Sequence, residues 1–177
     1  MLWSCRDREA RGVSSLNGHY GLCNKNKGFA GMALWAGIDH NRGYWSHTAA
    51  VGVLDYFRLP KFSAELYRSQ RDPNEDLSAL GVDSGPTVFI ANFWTENSAR
   101  DVRVFSNGEE VTLSLNGRKI ATQKPEHPEW NHPHPSFLFE NVPWEAGLLK
   151  ADAKIGGKTV ASHEVRTSGN PANLELV

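Results

Sequence analysis

Hydrophobic and polar positions change rhythm once along this chain. In the second half, from Pro86 to Val177, apolar residues recur at every second position. The sets are Val102 and Val104; Val111, Leu113 and Leu115; Phe137 and Phe139; and Leu149, Ala151, Ala153 and Ile155. A period of two marks a strand with one face buried and one in water. Ser106-Asn107-Gly108, Asn116-Gly117 and Gly156-Gly157 separate the sets. Asn-Gly and Gly-Gly accept positive φ and so predict tight hairpins. About seven short strands over roughly ninety residues fit an all-β immunoglobulin-like sandwich across 86–177.

The first half follows other periods. Val13, Leu16 and Tyr20 lie at helical spacing, though Gly12 and Gly18 interrupt that helix. Phe29 to Trp35 is a short apolar run without alternation. Such a run predicts a strand covered on both faces, as in a parallel sheet. A polar loop and "AAVGVLDYFR" follow. Pro60 suits the first position of a helix, where its missing N–H is not needed. Phe62 and Leu66 then share one helical face, and the helix fades by Gln70. Residues 1–71 thus read as one βα unit preceded by a helix. Residues 72–85 mix Pro, Gly, Ser and acids and read as a linker.

Composition narrows the function classes. Of the 177 residues, 40% are hydrophobic and 22% charged, which is a globular balance. The net charge is -1, and Lys and Arg are scattered rather than clustered. A nucleic-acid groove or a contact with anionic lipid needs a basic face, so neither is expected. No apolar run reaches the roughly 18 residues that span a bilayer. The opening "MLWSCRDREARG" carries charges where a signal peptide needs apolar residues, and it does not read as a natural start. The pattern assigns the chain to no compartment. Cys5 and Cys23 are too few for a disulfide scaffold, are not spaced as a metal pair, and are expected as reduced thiols in helical surroundings.

Candidate chemistry centres on "GMALWAGIDHNRGYW". An indole at the carboxyl end of a barrel strand can stack on a sugar face, and Asp39 can accept from sugar hydroxyls. Trp35 and Asp39 are therefore the candidate substrate-binding residues. Asp39 can equally hold a neighbouring loop; the alternative is that Trp35 packs under a loop and Asp39 caps a turn. A retaining glycosidase needs two carboxyl groups about 5 Å apart. Among Asp7, Glu9, Asp39, Asp55 and Glu65, only Asp39 follows a strand end, and one carboxylate is not a pair. Asn74-Glu75 lies in the linker and reads as coincidence. His127, His132 and His134 crowd a proline-stiffened loop with irregular spacing and no Cys, so no metal site is expected. "GGKT" at 156–159 lacks the first glycine of a phosphate loop and reads as a hairpin turn. Trp94, Trp130 and Trp144 could form a stacking platform, but core or interdomain packing is the commoner use of such residues.

Four stretches together resemble the C-terminal part of glycoside hydrolase family 2, of β-galactosidase type. They are "GFAGMALWAGIDHNRGY", "GVLDYFRLPKFSAELYRSQRDP", "VRVFSNGEEVTLSLNGRKIA" and "HPHPSFLFENVPWEAGLLKADAKIGGKTVASHEVRTSG". They cover nearly the whole chain in the family's order. Ala36, His40 and Ser114 depart from residues common in relatives, which bears on fine substrate preference. The resemblance implies an α/β fragment, the last βα unit of a TIM barrel, followed by the immunoglobulin-like sandwich. It implies that Trp35 walls the subsite of the cleaved sugar, with Asp39 beside it. The family's two catalytic glutamates sit on barrel strands four and seven, outside this chain. No catalytic residue, metal or cofactor is therefore expected within it, and the chain alone should be inactive. The implied partners are a β-galactoside or related β-glycoside and the N-terminal domains of the same enzyme. A lone barrel strand would also leave two apolar faces uncovered in residues 1–70. The competing expectation is a non-enzymatic sandwich that binds carbohydrate or protein.

Overall fold

A computed structural model describes residues 22, 23, 25–43, 49–125 and 132–169. The helical spacing over Val13, Leu16 and Tyr20, Cys5, His127 and Trp130 all lie outside the described residues.

The second half forms two antiparallel sheets. Strands β1 (Val88–Ile90), β2 (Val102–Ser106) and β5 (Phe137–Phe139) make one, in the order β1-β2-β5. Strands β3 (Glu110–Leu115), β4 (Arg118–Gln123), β6 (Leu148–Ile155) and β7 (Lys158–Arg166) make the other, in the order β4-β3-β6-β7. The inward residues of both sheets join in one cluster. It takes Val88 and Ile90, Val102 and Val104, Val111, Leu113 and Leu115, Phe137 and Phe139, and Leu149, Ala151 and Ala153. This is the layered solution expected when each sheet has one apolar face to bury. The period-two sets of the sequence are the inner faces of β2, β3, β5 and β6, except Ile155, which is half-buried and outside the cluster beyond the register shift at Ala153/Lys154.

Two of the three turns are the expected hairpins. Asn116 and Gly117 take φ of 51° and 77° between β3 and β4, and Gly156 and Gly157 take 55° and 77° between β6 and β7. Both central residues at positive φ match the right-handed twist of the strands they join. The third turn is different. Ser106-Asn107-Gly108 carries the chain from one sheet to the other, and β2 and β3 do not pair. The cause is the Asn107 side chain, which is buried and fully employed. Its Oδ1 accepts the Thr87 N–H at 2.7 Å. Its Nδ2 donates to Arg71 O at 3.1 Å and Gly85 O at 3.0 Å. Asn107 therefore ties this corner to both ends of the 72–85 segment, which holds a single 3-10 turn at Ser78–Leu80.

Helix α1 (Phe62–Arg68) packs on the outer face of the three-stranded sheet. Leu66 and Phe105 are its buried centre, with Phe62, Tyr67 and Phe89 against them. Phe62 and Leu66 do share the buried face. The helix begins two residues after Pro60, however. Pro60 bridges Leu54, and the Lys61 N–H donates to Val53 O at 2.9 Å, which keeps Lys61 extended.

The expected strand over Phe29–Trp35 is not formed. These residues are irregular and exposed. A strand exists through its neighbours, and among the described residues this run meets none. Just beyond it, Ile38 makes one parallel bridge to Leu54 and His40 one antiparallel bridge to Ala49. Phe29, Trp35, Tyr56, Phe57 and Leu59 all face outward.

One polar contact spans the two sheets. The His163 ring on β7 accepts the Ile90 N–H of β1 at Nδ1, 3.2 Å away, and lies 4.4 Å from Phe89 between ring centroids. Burial holds the His163 pKa below the ordinary histidine range, with the charge of Glu164 opposing. Burial lowers His134 in the same way, opposed by Asp72. For both groups the folded chain binds fewer protons than the unfolded one. Their contribution is complete above the unfolded value of about 6.5 and is lost as pH falls through the lower folded values. The urea midpoint should therefore drop between about pH 7 and pH 5. His163→Asn keeps an acceptor that cannot take a proton, so its midpoint should fall less steeply. An unchanged slope in that variant would remove His163 as a source.

Candidate functional site

Trp35 and Asp39 sit on one segment, and the structure gives them different surroundings. Trp35 is 76% exposed, and its peptide bond to Ala36 is cis. The His40 ring stands edge-on to the indole, with centroids 6.2 Å apart. The indole thus offers a largely bare apolar surface with a polar edge, the chemistry that suits a sugar ring.

Asp39 is enclosed. Its Oδ1 accepts from Lys61 Nζ at 2.6 Å and from the Gly52 N–H at 2.8 Å. The Lys61 and Asp39 side chains are 14% and 10% exposed. A carboxylate so buried needs a cation and a backbone donor to offset its lost hydration, and it has both. Gly52 is required at this point: a Cβ there would fall on the backbone of Ile38 and Asp39.

The two segments around this pair are laced by backbone bonds. Leu54 N–H donates to Gly37 O at 3.0 Å, Asp39 N–H to Leu54 O at 3.0 Å, and Ala49 N–H to His40 O at 2.9 Å. Asp55 then organises the following turn, with Oδ1 accepting both the Phe57 and Leu59 N–H groups at 2.8 Å. Arg58 takes φ of 67° inside that turn, and Tyr56, Phe57 and Leu59 are pushed outward. Asp39 is thus engaged by Gly52 and Lys61, Asp55 within its own turn, and Glu65 sits on α1 beside Arg68.

The other candidates resolve as packing. Trp94 is buried in the sandwich core, its Nε1 donates to Glu145 O at 3.0 Å, and its ring meets Trp144 edge-on at 5.8 Å. His132 is buried. His134 is clasped through its backbone by Gln70: Gln70 Nε2 donates to His134 O at 2.8 Å, and His134 N–H to Gln70 Oε1 at 3.1 Å. Among the described residues, no group of three or more His, Cys, Asp or Glu side chains could hold a metal ion. No helix of the described residues is long and apolar enough to cross a membrane. Lys61 is the residue that sequence reasoning missed. Its partner lies 22 positions away, and no local spacing signals that pairing.

Comparison with known proteins finds similarity to proteins named beta-galactosidase and beta-glucuronidase. Residues 97–161 match a family model described as "Domain of unknown function (DUF4982)". A beta-galactosidase of Thermoanaerobacter pseudethanolicus is 35% identical over 177 aligned positions, covering 89% of this chain and 22% of that enzyme. A beta-galactosidase of Bacteroides ovatus is 26% identical, covering 88% of this chain and 17% of that enzyme. Among solved structures, a beta-glucuronidase from glycoside hydrolase family 2 superposes with a TM-score of 0.70 at 24% identity. That match covers 93% of this chain and 16% of that one. The chain thus spans about a fifth of the length of the curated relatives it matches.

Proposed function

We propose that this chain, a segment belonging to glycoside hydrolase family 2, is the C-terminal part of a β-galactosidase-type enzyme. In this reading residues 1–71 are the last βα unit of a TIM barrel, 72–85 a linker and 86–177 an immunoglobulin-like domain. The complete enzyme would hydrolyse terminal β-glycosidic bonds with retention, through a glycosyl-enzyme intermediate. Its two carboxyl groups, about 5 Å apart in a retaining site, would come from the part of the barrel outside this chain. Trp35 would form a wall of the subsite that holds the cleaved sugar, and Asp39 would lie against that wall. The observation that carries this reading is 35% identity to a beta-galactosidase across 89% of the chain, sandwich and Trp35 segment together.

The reading makes the chain alone inactive. Purified, it should leave nitrophenyl β-galactoside uncleaved, and adding the upstream portion of its parent enzyme should restore turnover. Turnover by the chain alone would overturn the division of labour. Absence of complementation, together with retention of the chain on an immobilised polysaccharide, would favour a self-standing binding sandwich.

A further inference from the structure

The Lys61–Asp39 pair connects two parts of the molecule that the sugar-site reading leaves separate. Lys61 is the N-cap residue of α1. The buried face of α1 is seated on Phe105 and Phe89, which belong to the three-stranded sheet. From that seat Lys61 reaches Asp39, and Asp39 is four residues from Trp35. The same carboxylate oxygen holds the Gly52 N–H, so one atom ties the helix to the 35–40 and 49–54 segments, which backbone bonds already lace together. Trp35 has little packing of its own, apart from the edge of His40. Its orientation must come from the backbone that carries it.

We propose that Lys61 is a positioning residue for Trp35, through which the sandwich and α1 fix the Trp35–His40 segment in place. Asp39 then acts by holding the segment rather than by touching sugar. The consequence for substrate rests on the proposed reading of Trp35 as a subsite wall; the mechanical coupling does not.

The test uses the full 177-residue chain labelled with fluorotryptophan, with the Trp35 resonance assigned by Trp35→Phe. In fluorine NMR, Lys61→Met should shift or broaden the Trp35 signal while Trp94 and Trp144 keep theirs. Lys61→Arg retains the cation and should leave the Trp35 signal near its wild-type position. Asp39→Asn keeps an acceptor for Gly52 but loses the charge, and should move Trp35 as Lys61→Met does. An unmoved Trp35 signal in both charge-removing variants would overturn the proposal. So would a joint shift of Trp94 and Trp144, which would make the pair a support of the whole fold. In the complemented enzyme, Lys61→Met should raise KM several-fold with little change in kcat. If the wild-type chain complements nothing, the glycosidase reading fails while the NMR result still decides the positioning role.

Discussion

Trp94→Ala should lower the unfolding free energy by about 3–5 kcal/mol, the usual range for truncating a large aromatic in a core. Trp94 is among the largest fully buried side chains of the chain. It lies in the cluster shared by both sheets, between Trp144 on one side and the strand residues on the other. Truncation removes the ring's contacts, leaves a cavity that a clamped sandwich cannot collapse, and orphans the Glu145 carbonyl that its Nε1 now serves. Trp94→Phe separates these effects, because it keeps most of the ring and loses only the donor and some volume. It should cost less than Trp94→Ala. Urea unfolding checks both, with the slope of the transition unchanged if the denatured state is the same. A loss below about 1 kcal/mol for the alanine variant would mean that the Trp94 pocket is not part of the cooperative core.

The sandwich was legible in the sequence where one face of a strand is covered and the other is wet. Val111, Leu113 and Leu115 alternate with polar residues because only one side of β3 meets the core. Strand β2 reads less cleanly, since Val102 and Val104 face the core while Phe105 is buried on the opposite side under α1. Strand β1 has no alternation at all for the same reason: Val88 and Ile90 point inward and Phe89 packs against the helix cluster. Local composition also misjudged Asn107-Gly108. The dipeptide carries a hairpin signature, but hydrogen bonds to residues 20 to 36 positions away decide its conformation. Residues 29–35 err in the other direction. Their apolar character is that of a covered strand, yet strand formation depends on neighbours that the described residues do not provide. For the candidate site, the sequence singled out the Trp35–Asp39 segment and left its mechanics hidden. Asp39 could be singled out by its place after an apolar run, whereas its engagement by Lys61 and Gly52 is a fact of three-dimensional closure.

Phe105→Ala is the complementary expectation, and it separates the two layers that meet at β2. The side chain is buried, but on the helix side of the sheet rather than in the inter-sheet core. Truncation should again cost about 3–5 kcal/mol in total burial, yet the loss falls first on the seat of α1. Leu66 and Phe62 would lose the surface they pack on, while Val102 and Val104 keep theirs. The variant should therefore show early opening of the helix before the sandwich unfolds, as expected when one unit has fewer buried contacts than its neighbour. Trypsin cleavage after Arg68 and Arg71 should accelerate well before global unfolding, whereas Trp94→Ala should lower the midpoint of the whole domain. Equal protection of those two sites in wild type and Phe105→Ala would show that α1 is held by something other than this seat. Because Lys61 caps the same helix and Val53 packs in the same cluster, loosening α1 should also free the Asp39 segment, so Phe105→Ala should disturb Trp35 through the helix and the 49–54 segment.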